Sequence, residues 1–388
     1  MADGMSFELA APGRIVFGPG ALKDAAPTAA ALGSRALVVT GRDIGRAEPL
    51  LRELALNRVD AVPFPAVGEP SVDTVGRGLE VARGAECDLV VGFGGGSAID
   101  LAKAVAAMLA NDGGLLDYLE VIGRGRKLKK PSVPWIAVPT TAGSGAEATR
   151  NAVIASTSHR VKVSLRGPGM IARVAIVDPE LTRGLPPAVT AAGGLDALSQ
   201  LIEPFVCTRA NPLVDGLCRE GLARSARSLR RVFRGAEEPA AREDLALASL
   251  FGGLALANAG LGVVHGIAGP FGGMFDAPHG AVCGRLLPEV VEANVRALSE
   301  RAPDGPALPR YAEVARVLTG SESAAAADAV KWLRELVAEL RVPGLATYGL
   351  APADFPALIK KARSASSMKA NPVELTEEEL RGILERAG

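Results

Sequence analysis

Short β-branched runs alternate with Ala-rich, helix-patterned stretches through residues 1–185, and that alternation then stops. Few architectures accommodate such a chain. Strands separated by helical crossovers pair in parallel, and a parallel sheet must be covered by helices on both faces. Strands are expected at Ala36–Thr40, Leu89–Phe93, Trp135–Val138 and Val174–Val177, with helices at Ser71–Arg83 and Ala98–Ala110. After Pro186 the strand signal fades. Amphipathic patterns predict helices over Thr190–Cys207, Pro212–Arg231, Ala240–Ala259, Ala324–Leu340, Ala353–Arg363 and Thr376–Arg386. The tripeptide Leu185–Pro187 suits a hinge, because proline ends one element and can open the next helix. A chain of 388 residues exceeds what one core usually serves. The expected organisation is therefore an α/β domain over 1–185 and an all-α domain over 186–388, with a cleft between. Only 4% of residues are aromatic against 48% hydrophobic, so Ala, Val, Leu and Ile must build the core.

Forty-three basic residues balance 43 acidic ones. No global field draws the chain to nucleic acid or an anionic membrane, and no apolar run reaches the ~18 residues of a membrane span. Cys87, Cys207, Cys218 and Cys283 show no CxxC spacing and read as isolated thiols of a reducing compartment. A soluble cytoplasmic protein without a signal peptide is expected.

Two glycine-rich turns follow strands. Gly94, Gly95, Gly96 and Ser97 open a helix, the context in which backbone N–H groups and the helix dipole receive a phosphate. Taken alone, this is neither a GxGxxG fingerprint nor a Walker loop, and a simple tight turn would read the same. Pro139–Glu147 is a second such turn, rich in hydroxyls at Thr140, Thr141 and Ser144. Two loops of this type along one sheet edge favour a nucleotide.

The chain has three histidines, His159, His265 and His279. The last two flank a Gly-rich segment. Asp196 and Gln200 stand four apart, which puts them on one helix face. Carboxylate and imidazole are the ligands of a catalytic divalent metal. Individually, each residue also reads as a core histidine or a helix cap. His159 reads as part of an exposed turn.

These motifs, in this order, resemble the iron-containing, or group III, alcohol dehydrogenase family over nearly the whole chain. GGGSxxDxAK is matched from Gly94 to Lys103, PTTAG[ST]GxExT from Pro139 to Thr149, and VDP from Val177 to Pro179. GxDALxxxIE is matched from Gly194 to Glu203, and HxxxxPxG…PHG from His265 to Gly280. The resemblance implies a Rossmann-like nucleotide-binding domain over 1–185, an all-α metal and substrate domain over 186–388, and a metal-dependent oxidoreductase that moves a hydride between NAD(P)(H) and an alcohol, aldehyde or ketone. It implies Fe2+ or Zn2+ held by Asp196, His265 and His279, the catalytic centre, with Gln200 at a fourth ligand position where the family usually has histidine. A further family histidine is replaced by Gly269. The resemblance places the cofactor on Gly94, Gly95, Gly96, Ser97, Asp100, Thr140, Thr141, Ser144 and Lys162, and it implies a homodimer. After the first strand, where NAD-specific relatives carry Asp, this chain has Gly41 and Arg42. That favours NADP, with NAD possible if Asp43 accepts the ribose. Gly269, Gly272 and Gly273 suggest a roomy substrate pocket that Phe271, Met274 and Phe275 could wall, although ordinary core packing is the first reading of these three apolar residues. Alternative readings are a maleylacetate reductase-like enzyme, a dehydroquinate synthase-like enzyme, and a nucleotide-binding protein with a degenerate metal site.

Overall fold

The computed structural model describes residues 6–156, 158–159, 161–235 and 238–388. Six strands form one parallel sheet: β1 (Arg14–Phe17), β2 (Arg35–Thr40), β3 (Asp60–Pro65), β4 (Leu89–Gly94), β5 (Trp135–Pro139) and β8 (Val174–Val177). An antiparallel hairpin of β6 (Asn151–Ser156) and β7 (Val161–Arg166) lies outside it. The helices between strands are α1 (Ala25–Leu32), α2 (Glu48–Leu56), α3 (Val72–Gly84) and α4 (Gly96–Ala110). The strand alternation sorts the core by face. Leu37, Val39 and Val90 pack with α3 and α4, whereas Ala36, Val38, Leu89 and Val91 pack with α1 and α2.

Beyond β8 the described residues are helical: α5 (Pro187–Val206), α6 (Pro212–Phe233), α7 (Pro239–Asn258), α8 (Val263–Met274), α9 (His279–Arg301), α10 (Ala307–Thr319), α11 (Ala326–Glu339), α12 (Phe355–Ser364) and α13 (Glu377–Ala387). They surround a core of Leu, Val, Ile and Ala with few aromatics, among them Phe205, Phe271 and Tyr311. No single described helix is long and apolar enough to cross a membrane.

Sheet order is β1-β8-β5-β4-β2-β3. From β2 the chain runs outward to β3, then returns to build the rest of the sheet from β4 on the other side of β2. The topological switch therefore falls between β2 and β4, where open α/β sheets take their ligands. The carboxyl ends of these two strands carry Gly41 and Gly94, and the two residues nearly touch. A methyl group on Gly94 would lie 3.2 Å from the Gly41 amide nitrogen and 2.6 Å from the Ala98 side chain.

Candidate functional site

Helix α4 begins immediately after β4. Gly95 precedes it in an extended conformation and offers no capping side chain, so the first-turn N–H groups are left for an anion. The second loop lies against the first. The Thr140 amide donates to the Gly94 carbonyl at 2.9 Å. Side chains at Gly95 and Gly96 would meet Thr141 at 3.3 Å and the Ser144 hydroxyl at 2.7 Å. The structure thus brings Gly41, Gly94, Gly95, Gly96, Ser97, Thr140, Thr141 and Ser144 to one crevice. Arg42 is exposed beside it. The Asp43 carboxylate caps the next turn, accepting the Gly45 amide at 2.9 Å.

Two residues assigned to the cofactor have other partners. Asp100 accepts the Lys103 ammonium at 3.1 Å and the Val153 amide at 2.9 Å, which pins α4 to the hairpin. The Lys162 ammonium pairs with Glu69 at 3.2 Å and lies over Gly272 of α8. His159 occupies an exposed turn beside Ser156 and Ser158, as expected.

The second loop also carries the crevice onto the helices. A methyl on Gly143 would come within 2.6 Å of the Gly193 α-carbon in α5, and Gly145, at φ +58°, packs as closely on Gly253 of α7. One turn beyond Gly193, α5 presents Asp196. Helix α9 reaches the same place because Gly280 fits against the Ala192 carbonyl, where a methyl would lie 2.2 Å away. That contact sets His279, the first residue of α9, beside Asp196. His265 arrives from the first turn of α8.

The His265 Nε2 lies 3.4 Å from Asp196 Oδ1, and the His279 Nε2 lies 3.8 Å from the same oxygen. Cys283, one turn after His279, joins them. One donor atom from each of the four residues falls within 4.8 Å of all the others. Asp196 Oδ1, Gln200 Oε1 and His265 Nε2 are buried with no hydrogen-bond partner. Buried acceptors are rarely left so, and a carboxylate oxygen facing an imidazole lone pair is unfavourable unless a cation lies between them. The donor set fits a divalent metal ion.

Glu203, one turn beyond Gln200, gives His265 its orientation. Its Oε2 lies 2.6 Å from His265 Nδ1, and its Oε1 accepts the Val264 amide at 2.7 Å. With Nδ1–H donating to this buried carboxylate, Nε2 keeps its lone pair for the ion. Without an ion between them, the same neighbours favour the charged imidazole. Burial pushes the Asp196 carboxyl up, but His265 and His279 more than offset it and hold it below its ordinary value. Burial works against charging His265, yet Cys283, Asp196 and Glu203 raise its pKa well above the usual. Burial would raise the Cys283 thiol, and His279 and His265 bring it lower instead.

Sequence reading missed Glu203 and Cys283. The signal for Cys283 was its i,i+4 spacing from His279, which sets both side chains on one helix face. The substrate-pocket reading needs correction. Gly269 faces open space, but Gly273 abuts the Val161 backbone and Gly272 abuts Lys162, so both are docking points for β7. Phe271 is fully buried against Phe275 and Tyr348, in the core and not at a pocket wall.

Comparison with known proteins places this geometry. The iron-containing alcohol dehydrogenase model matches residues 12–179, and the C-terminal model of the Fe-containing alcohol dehydrogenase family matches residues 190–388. Long-chain-alcohol dehydrogenase 1 of Geobacillus thermodenitrificans is 34% identical, over 96% of this chain and 96% of its own. A crystal structure of 1,3-propanediol oxidoreductase superposes with a TM-score of 0.91 at 30% identity, covering 99% of this chain and 100% of that one. The sulfoacetaldehyde reductase of Bifidobacterium kashiwanohense, solved in complex with NAD+, superposes with a TM-score of 0.86 at 28% identity over 98% of each chain. The chain therefore belongs to the iron-containing alcohol dehydrogenase family, metal-dependent oxidoreductases that act on alcohols and the matching carbonyl compounds.

Proposed function

We propose that Asp196, His265 and His279 hold a divalent cation, Fe2+ or Zn2+, and that Gly94–Ser97 with Thr140, Thr141 and Ser144 seat the pyrophosphate of NADP(H). The observation that carries this reading is the convergence of unpartnered buried acceptors on one point, next to a glycine loop at the sheet's switch point. Lewis acidity and a transferable hydride are what the two bound groups contribute. The protein's own residues do the rest. Asp196 supplies negative charge at the oxygen-binding end, Glu203 fixes the His265 tautomer, and the Gly143–Gly193 contact sets the distance between the two half-sites. Gly269 leaves space where a side chain would stand, so an alcohol or carbonyl substrate enters beside His265, with solvent free to exchange protons there. The domain boundary falls at 185/186 in this reading. Four free cysteines suit a cytoplasmic setting, and a homodimer follows from the resemblance.

Purified protein is expected to contain iron or zinc and to consume NADPH with aldehydes or ketones. Chelation should abolish turnover, and adding back one metal should restore it. Protein that binds NADPH yet holds no metal and reduces no carbonyl would instead be the nucleotide-binding protein with a degenerate site.

Preference for NADP(H) rests on three features at the end of β2. Arg42 is exposed, Gly41 presents no carboxylate, and Asp43 is occupied by the Gly45 amide. A guanidinium suits a 2′-phosphate, and a free carboxylate there would repel it. Replacing Arg42 with Ala should lower kcat/KM for NADPH about tenfold, the ~1.4 kcal/mol of one charged contact, and leave NADH nearly unchanged. Equal losses with both dinucleotides would remove the 2′-phosphate assignment.

A further inference from the structure

The family's fourth ligand histidine is Gln200 in this chain, and a neutral amide oxygen is a weak substitute. We propose that the Cys283 sulfur, and not Gln200, is the fourth protein ligand, giving an Asp–His–His–Cys site. The inference rests on the metal-dependent reading above and deepens it.

Geometry is the first argument. Tetrahedral coordination at ordinary zinc bond lengths sets nitrogen–oxygen edges of about 3.4 Å and nitrogen–sulfur edges of about 3.6 Å. Here His265 Nε2 to Asp196 Oδ1 is 3.4 Å, His279 Nε2 to Asp196 Oδ1 is 3.8 Å, and Cys283 Sγ to His279 Nε2 is 3.5 Å. These edges need little adjustment to close on one ion. Asp196 Oδ1 and His265 Nε2, which share this point with the sulfur, are buried and unpartnered, so the thiol belongs to an incomplete polar cluster. It is not an isolated core cysteine like Cys218. Gln200 Oε1, also unpartnered, lies instead against Gly252 of α7, where a methyl would be 3.4 Å away.

Packing and charge are the second. Cys283 is fully buried in α9, one turn from His279, and Gly284 beside it lets α9 close on Leu195 of α5. The sulfur is thereby held at the ion by the same helix contact that holds His279. With Asp196 and a thiolate, the site carries two negative charges against a dication, which an Asp–Gln–His–His set does not. The thiol proton leaves to solvent as the metal binds. Gln200 has another role available, since its amide hydrogen-bonds the Asp196 carboxylate. A sulfur ligand also shifts selectivity toward zinc.

The test uses the full-length protein loaded with cobalt(II). Wild type and Gln200→Ala should both show near-ultraviolet thiolate-to-cobalt charge-transfer absorption. Cys283→Ser should lose that absorption and weaken metal affinity by at least the ~10–100-fold that loss of an outer-shell partner costs. Should the Cys283→Ser protein fail to fold, X-ray absorption of zinc-loaded wild type still decides, with one sulfur scatterer expected at about 2.3 Å. Bound metal without charge-transfer absorption or a sulfur shell overturns the cysteine ligand and leaves the metal enzyme intact. No bound metal of any kind overturns both.

Discussion

Asp196→Ala protein should purify folded, bind NADPH within a few-fold of wild type, and reduce carbonyl compounds at least ~1,000-fold more slowly, a loss of about 4 kcal/mol in transition-state stabilisation. The reasoning starts from charge. Asp196 is the carboxylate of the cluster that both imidazoles face, so its removal takes away one of the two negative charges, and the only oxygen, proposed to retain a dication between His265 and His279. Folding should survive, because Oδ1 has no hydrogen-bond partner and its absence relieves a contact between acceptors, and the Gln200 amide gives up one hydrogen bond. Nucleotide binding should survive because Asp196 lies beyond the Gly143–Gly193 contact, outside the α4 crevice. Elemental analysis, NADPH titration and steady-state rates on one preparation measure all three. Unchanged turnover in a metal-free Asp196→Ala protein would remove the proposed metal-dependent mechanism. Loss of NADPH binding along with the metal would mean that the two half-sites are not separable.

What the sequence disclosed, and what it hid, follows from how each element is stabilised. Strands β2, β4, β5 and β8 lie inside the sheet, buried on both faces, and read as continuous apolar runs. Strand β3 was illegible because Pro63 and Pro65 argue against a strand, and they are tolerated because β3 is at the sheet's edge. Strand β1, at the opposite edge, is only four residues long. In the hairpin of β6 and β7 burial alternates, with Ala152, Ile154, Val163 and Leu165 against the α4 core. Helices α8 and α9 were obscured by Pro270, Pro288 and their glycines. Each is a poor helix former alone, yet Gly273, Gly280 and Gly284 permit the close packing that sustains the helices. The site divides in the same way. Asp196, His265 and His279 stand in motifs, so they were legible before their distances were known. Glu203 and Cys283 became visible as site residues only once three helices had been folded around one point. Asp100 stands in a family motif too, and within the fold its carboxylate is already partnered by Lys103 and the Val153 amide.

The second large effect belongs to that residue. Asp100→Ala should destabilise the protein by about 3–5 kcal/mol, the usual result of leaving a buried charge without its counter-ion. The Lys103 side chain is wholly buried and spends its three N–H donors on Asp100, the Thr149 hydroxyl at 2.7 Å and the Asn151 carbonyl at 2.6 Å. Without Asp100, the buried ammonium would keep only the Thr149 hydroxyl and the Asn151 carbonyl as hydrogen-bond partners, with Glu147 acting on it at longer range, and the Val153 amide would lose its acceptor as well. Urea unfolding measures the loss. The additional change Lys103→Met should recover much of it, because an apolar side chain of similar volume carries no charge to desolvate. A coupling of about 0.5–3 kcal/mol between the two substitutions is the expected signature of direct contact. The same proteins separate the two roles assigned to Asp100. If its carboxylate only pins α4 to the hairpin, the Asp100→Ala/Lys103→Met protein regains stability and keeps its affinity for NADPH. If it also holds the dinucleotide, NADPH affinity falls in Asp100→Ala and is not recovered when Lys103→Met restores stability.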